Sequence, residues 1–399
     1  MLKIFIGRQP IYNKLLKVVG YELLFRSYDS ETADFIDGDR ATSQVIMNTF
    51  VEIGLDKLVG GGLAFINLTR NFILDKYPLP FSEKRVVLEV LENITIDDEL
   101  IEGLRFLSGR GYQIALDDVV NPDQVAPLLE IADIVKLDFI DVDRTLLRDY
   151  VQTLKKYNVK LLAEKLETQD DFEFCKKLGF HLYQGFFFSR PHIVSARKIP
   201  DSHLNILRLL SKLHAPGIEF REVEAIVSQD VSLSYKLLRL INSSFYARSR
   251  TINSIRQALT LLGIKQIQDW VSLLCLASVE DKPRELMNIS MIRAKMCELL
   301  TKSMKLKNAE TGFIVGLFSV LDALLDMTFE DILQTLPLSG TVRTALINRE
   351  GPLGDVLRCV LAFEQGNWGE ARCPNVNPDK IRDSYLESVQ WAFSISSML

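Results

Sequence analysis

Two periodicities divide the chain. From residue 1 to about 190, short apolar runs rich in β-branched and aromatic residues alternate with stretches of helical pattern. The runs are VVGYELLF (18–25), LAFINLT (63–69), VVLEVLE (86–92), QIALDDVV (113–120), DIVKLDF (133–139), KLLAEKL (160–166) and LYQGFFF (182–188). Between two of them, DDELIEGLRFLSGRG (97–111) starts on acids and ends on glycine, the boundary chemistry of a helix. Strand–helix alternation on this scale predicts a parallel α/β fold. About seven or eight such units favour a closed, TIM-like barrel over an open sheet.

Residues 190–203, RPHIVSARKIPDSH, follow neither period and read as a link. Beyond them HLNILRLLSKLH, SLSYKLLRLINSSF and SIRQALTLLGIKQIQDWVSLLCLAS carry leucines at helical spacing, punctuated by Pro216-Gly217 and Pro337. The stretch from about 373 predicts a loop and one last amphipathic helix. The expected organisation is a barrel over 1–195, a linker over 196–203 and an all-α domain over 204–399 with a C-terminal tail helix.

Composition narrows the function classes. The 399 residues are 47% hydrophobic and 25% charged, as in ordinary globular proteins of two or three domains. With 47 basic and 52 acidic residues, a net charge of -5 gives no footprint for a nucleic acid polymer or an anionic membrane. The start, MLKIFIGRQP, lacks the apolar region of a signal peptide. No uncharged apolar run reaches the ~18 residues of a membrane span; GFIVGLFSVL (312–321) stops at Asp322. Cysteines 175, 275, 297, 359 and 373 form no C-x-x-C and read as reduced thiols of a cytoplasmic protein.

The chemistry lies in polar residues that interrupt the strand-like runs: Glu22, Asn67, Glu89 with Glu92, Asp117 with Asp118, Lys136 with Asp138, Glu164 with Glu167, and Gln184. At the C-terminal ends of barrel strands such residues converge on one rim. A rim with so many carboxylates repels itself, and hard cations would relieve it. Oxygen donors suit Mg²⁺, Mn²⁺ or Ca²⁺. Two metals need a bridging acid, which either Asp117 or Asp118 could supply, and such a pair suits displacement at phosphorus. GGG (60–62) precedes a strand with no following Lys-Ser/Thr helix and reads as a turn, not a phosphate loop. Phe186-Phe187-Phe188 reads as strand core in preference to a base-stacking platform.

On these same residues, positions 1 to about 195 resemble the EAL family of cyclic di-GMP phosphodiesterases. GYELLFR carries the signature E-x-L-x-R through Glu22, Leu24 and Arg26, with Leu23 in place of the eponymous alanine. INLT, LEVLE, LDDVV, VKLD, AEKLE and YQGFFFSRP supply the remaining motif positions. The resemblance implies a TIM-like barrel of EAL type with one antiparallel strand and two Mg²⁺ or Mn²⁺ ions per site. One ion would be held by Glu22, Asn67, Glu89 and Asp117, the other by Asp117, Asp118 and Glu164. It assigns Lys136, Glu164 and the loop-supporting Glu92 to catalysis, and Leu24, Arg26, Asp138, Gln184 and Pro191 to substrate. It further implies hydrolysis of cyclic di-GMP to linear pGpG and a homodimer through the barrel.

One loop departs from the pattern. The family's D-D-F-G is DDVV here, with Val119 for phenylalanine and no glycine. That loop supports metal binding and dimer contacts in the family, so the departure motivates a second reading, a cyclic di-GMP receptor or scaffold that does not cut. The second half, from IVSQDVSLSYKLLRLINSSF to ALTLLGI, resembles HDOD domains. The related phosphohydrolases use a His-Asp pair, but Ser319-Val320 stand at that place, and histidines 181, 192, 203 and 214 lie elsewhere. Each histidine is expected to be solvated or at the domain junction. The helical half is therefore expected to be a regulatory module with a protein partner of its own.

Overall fold

The computed structural model describes residues 4–27, 53–74, 79–140, 142–185, 201–242, 252–279, 282–306 and 311–397. It gives the backbone alone at 4, 5, 25–27 and 201. Contacts divide the chain into two compact units, Met1–Phe188 with Glu364–Gly369, and Ser189–Phe363 with Glu370–Leu399.

The first unit is a closed barrel of eight strands in chain order. They are β1 (Ile4–Asn13), β2 (Val18–Ser27), β3 (Leu63–Leu68), β4 (Val86–Val90), β5 (Gln113–Leu116), β6 (Ile134–Asp138), β7 (Lys160–Leu166) and β8 (Leu182–Gly185). β1 runs antiparallel to both β2 and β8, and every other neighbouring pair is parallel. The expected single antiparallel strand is thus the first one, which lies outside every run singled out in the sequence.

Strand alternation decides what fills the barrel. Ile11, Phe65, Val87, Ala115, Ile134, Leu162 and Leu182 form one buried cluster, a residue from each of seven strands. Side chains two positions apart on a strand share a face. Two residues beyond six of these lie Asn67, Glu89, Asp117, Lys136, Glu164 and Gln184. The polar set is therefore the next layer up, toward the C-terminal ends of the parallel strands. Each large apolar side chain beneath contributes roughly 1.5–3 kcal/mol by burial, which offsets the cost of the polar layer.

Local chemistry sets the flanking helices. Asp97 caps Asp98–Gly109 by accepting the Leu100 N–H at 3.0 Å. Thr168 and Asp171 form a capping box at the start of Gln169–Leu178. After Asp118 the chain enters a 3-10 turn, Pro122–Leu128, begun by Asn121 accepting the Asp123 N–H.

Among the described residues of the second unit, the regular elements are all helices. Its longest helix, Arg284–Ser303, packs against Thr311–Phe318 and Pro378–Ser396. A Cβ on Gly316 would lie 2.2 Å from the Arg293 carbonyl oxygen, so only glycine permits this approach of two helices. The tail helix begins at Pro378 behind the cap Asn377. Among the described residues, no helix is long and apolar enough to cross a membrane.

Candidate active site

Lys136 is the hub of the polar layer. It projects from β6, fully buried, with its ammonium 2.6 Å from Asp117 Oδ1, 2.7 Å from Glu89 Oε1, 2.8 Å from Glu164 Oε1 and 3.5 Å from Glu22 Oε2. Five strands meet at that one nitrogen. The sequence led us to expect mutual repulsion relieved by outside cations. An internal ammonium, placed by the third residue of β6, offsets part of that repulsion.

Neutral groups finish the cluster. Gln184 donates to Glu22 Oε2 at 2.6 Å and to Gln9 Oε1 at 2.9 Å, and Asn67 donates to Glu22 Oε1 at 3.3 Å. Burial alone would raise the Glu22 carboxyl, but Lys136, Gln184 and Asn67 together hold it below its usual range. Burial wins at Glu89 and Glu164, whose carboxyls are pushed well up, and at Asp117, pushed up to about 6. Burial would likewise lower Lys136, yet the carboxylates of Glu164, Glu22, Glu89 and Asp117 override it and raise it well above the ordinary lysine value.

The donors fit a hard cation. Carboxylate oxygens of Glu22, Glu89 and Asp117 lie within 4.8 Å of one another. Asn67 Oδ1, Glu89 Oε2 and Glu164 Oε2 are buried oxygens that accept no hydrogen bond. Buried acceptors left open in this way cost free energy, and an oxygen-seeking divalent ion would use them.

The other expected site residues are spread more widely. Asp118 follows β5 with a left-handed φ of 44° and pairs with Lys165 at 3.1 Å. Asp138, almost completely buried, accepts the Ile140 N–H at 2.7 Å and also pairs with Lys165. Leu24 is half-buried on β2. Glu92 and Glu167 are exposed beyond the ends of β4 and β7, outside the buried cluster. The run 86–92 reads as one strand in sequence, but β4 ends at Val90, so Glu92 is carried away from the layer that holds Glu89. The Arg26 side chain and all of Pro191 lie outside the described residues, as do Phe186-Phe187-Phe188 and His192. Val119 is buried and its N–H donates to the Lys136 carbonyl at 3.0 Å, tying the altered loop to β6.

Two contributors escaped the sequence reading. Gln9 belongs to the unrecognised β1 and sits opposite Glu22 in register. Lys165 stands inside AEKLE, where strand alternation turns it away from the barrel interior. Only a backbone irregularity brings it back.

In the helical unit Ser319 accepts a hydrogen bond from Arg293 at 3.2 Å and donates to the Gly316 carbonyl at 2.7 Å, and Val320 is buried. Of the histidines expected to be solvated or at the domain junction, His203, at the end of the expected linker, is buried with Nδ1 3.2 Å from the Leu325 carbonyl oxygen. His214 also turns inward. Its Nε2 lies 2.9 Å from Ser272 Oγ, and burial pushes its pKa down to about 4.

Comparison with known proteins agrees with both halves. The family model described as EAL domain matches residues 40–191, and that described as HDOD domain matches 199–341. Cyclic di-GMP phosphodiesterase CdgJ of Vibrio cholerae is 35% identical, over 100% of this chain and 94% of its own. The uncharacterized protein YuxH of Bacillus subtilis is 34% identical, over 99% of each. Among solved structures, the Bacillus subtilis YkuI protein, with an EAL domain and in complex with c-di-GMP and calcium, is similar at a TM-score of 0.40 and 19% identity. That match covers 65% of this chain and 72% of the other.

Proposed function

Because the chain belongs to the EAL–HDOD family, sharing both domains and nearly its full length with CdgJ, we propose that it is a cyclic di-GMP phosphodiesterase releasing linear pGpG. The observation that carries this reading is the buried layer at the C-terminal end of the barrel, with Glu22, Glu89, Asp117 and Glu164 gathered on Lys136 and Asn67 bonded to Glu22.

Divalent Mg²⁺ or Mn²⁺ is the cofactor in this reading, one ion held by Glu22, Asn67, Glu89 and Asp117 and a second by Asp117, Asp118 and Glu164. When bound, such ions supply Lewis-acid polarisation at phosphorus and make a water more acidic. Water adds to one phosphodiester, the bond to the ribose 3′ oxygen breaks, and that oxygen leaves as a hydroxyl. Lys136 places a fixed positive charge beside the reacting groups, where it favours the deprotonated nucleophile. Gln184 orients Glu22 through its 2.6 Å hydrogen bond. Asp138, Leu24, Arg26 and Pro191 are assigned to the nucleotide. Arg26 suits a phosphate by its fork of donors. Glu92 keeps its assigned place as a loop support and not a member of the buried cluster.

Homodimerisation through the barrel belongs to the same reading, and the exposed Val120 and Ile140 offer apolar surface for it. The helical unit serves as a regulatory module toward a protein partner. Five free, buried cysteines suit a reducing cytoplasm.

The test is purified full-length protein with Mn²⁺ and cyclic di-GMP, the nucleotides being separated by chromatography. Wild type is expected to produce pGpG, and Asp117→Ala to lose turnover by at least about a hundredfold, since a ligand acting in the transition state is gone. Tight nucleotide binding with no pGpG would make the chain a receptor.

A further inference from the structure

Lys165 is a charged residue at the barrel mouth that the proposed chemistry leaves without a role. It sits where β7 loses register with β8, between Ala163 and Leu166. Its φ is 54°, in the left-handed region. Gly185 on the facing strand makes room for the irregularity, since a Cβ there would lie 2.1 Å from the Leu166 carbonyl oxygen. Bulges of this kind re-aim side chains near active sites. Glu164 and Leu166 remain buried on either side, while the Lys165 side chain is 47% exposed along its length.

Its ammonium is nonetheless not in open water. It bridges Asp118 Oδ1, at 3.1 Å, and Asp138 Oδ2. Asp118 bends to meet it through its own left-handed backbone. Two residues in left-handed conformations, Asp118 beyond the end of β5 and Lys165 on β7, thus converge on one ion pair. Lys136 touches ligands of both proposed cation subsites. Lys165 touches a ligand of the second subsite alone.

We propose that Lys165 is a built-in competitor of the second divalent cation. The inference rests on the metal reading given above. An ammonium and a divalent ion cannot both take full advantage of the Asp118 carboxylate. The second ion therefore binds only as Lys165 withdraws to solvent, which its exposed stem allows. The two subsites load unequally, and occupancy of the second responds to the supply of divalent cation over a range where the first is already full.

The experiment counts Mn²⁺ bound to full-length protein by the electron paramagnetic resonance signal of the free ion, in wild type, Lys165→Met, Lys165→Gly and Lys165→Arg. Glycine tolerates the left-handed backbone without strain, so the Gly variant stands in if the Met variant folds poorly. Wild type is expected to show two classes of site differing at least about tenfold in affinity. Removing one ammonium at contact distance should tighten the weaker class at least about tenfold in the Met and Gly variants. The tight class should move by less than about twofold, and Arg should keep the wild-type pattern. An unchanged weaker class in both Met and Gly overturns the proposal while leaving the metal centre standing. Equal tightening of both classes overturns its selectivity. Absence of Mn²⁺ binding in every protein overturns the metal reading itself.

Discussion

Replacing Lys136 with methionine, similar in length and uncharged, should expose the tension in the barrel core. Three carboxylate oxygens lie 2.6, 2.7 and 2.8 Å from the ammonium and a fourth lies 3.5 Å away. At an effective dielectric of about 20, one unit pair at such a distance is worth ~6 kcal/mol of attraction. Burying the ammonium and the acids takes back several kcal/mol per group. The net is best judged from removal of one partner of a buried pair, which costs about 3–5 kcal/mol. Lys136→Met should therefore lose about 3–5 kcal/mol in urea unfolding with EDTA at about pH 7.5. The loss should depend on pH. With the ammonium gone, Glu89, Glu164 and Asp117 rise further above their unfolded values and Glu22 loses a partner that lowers it, so the native state binds more protons than the unfolded one. Stability is then present at low pH and lost as pH rises through the folded values. Mn²⁺ should stabilise the variant more than wild type, since its acids have no ammonium, with ~2.7 kcal/mol in the variant at a hundredfold excess over its dissociation constant. A loss below ~1 kcal/mol, or one indifferent to both pH and Mn²⁺, would refute the view that Lys136 holds the acids together.

Two further outcomes concern the helical unit. His214 is held neutral by burial, with a pKa down to about 4 against an ordinary 6.5. Its contribution is whole above pH 6.5 and is lost as pH falls toward 4, by up to ~3 kcal/mol. His214→Gln should flatten that slope in urea melts, and an unchanged slope would exonerate the residue. Gly316→Ala drives a Cβ into the Arg293 carbonyl and should cost about 1–3 kcal/mol or more by overpacking. A melting temperature equal to wild type would show that the two helices part freely.

The amino-acid sequence by itself carried the period of each half, and with it the barrel, the helical unit and the acids that interrupt the strands. These are local properties: a side chain's face follows from its position along its own strand. β1 escaped because IFIGRQPIYN breaks its alternation with Gly7, Arg8 and Pro10, and the strand is stabilised by pairing on both sides. Glu92 and Glu89 look equivalent in VVLEVLE, and only the end of β4 at Val90 separates a buried acid from an exposed one. Tertiary structure alone made Lys136 the common partner of residues from β2, β4, β5 and β7, since no spacing in the sequence states which strands face one another across a closed barrel. It also turned Lys165 toward Asp118 and Asp138. The alternation of β7 aims that side chain away from the interior, and a register shift and a left-handed backbone overrule it. The charge balance of the site is thus a long-range property. Coulomb interaction depends on distance in space and on exclusion of water, and neither exists until the barrel closes.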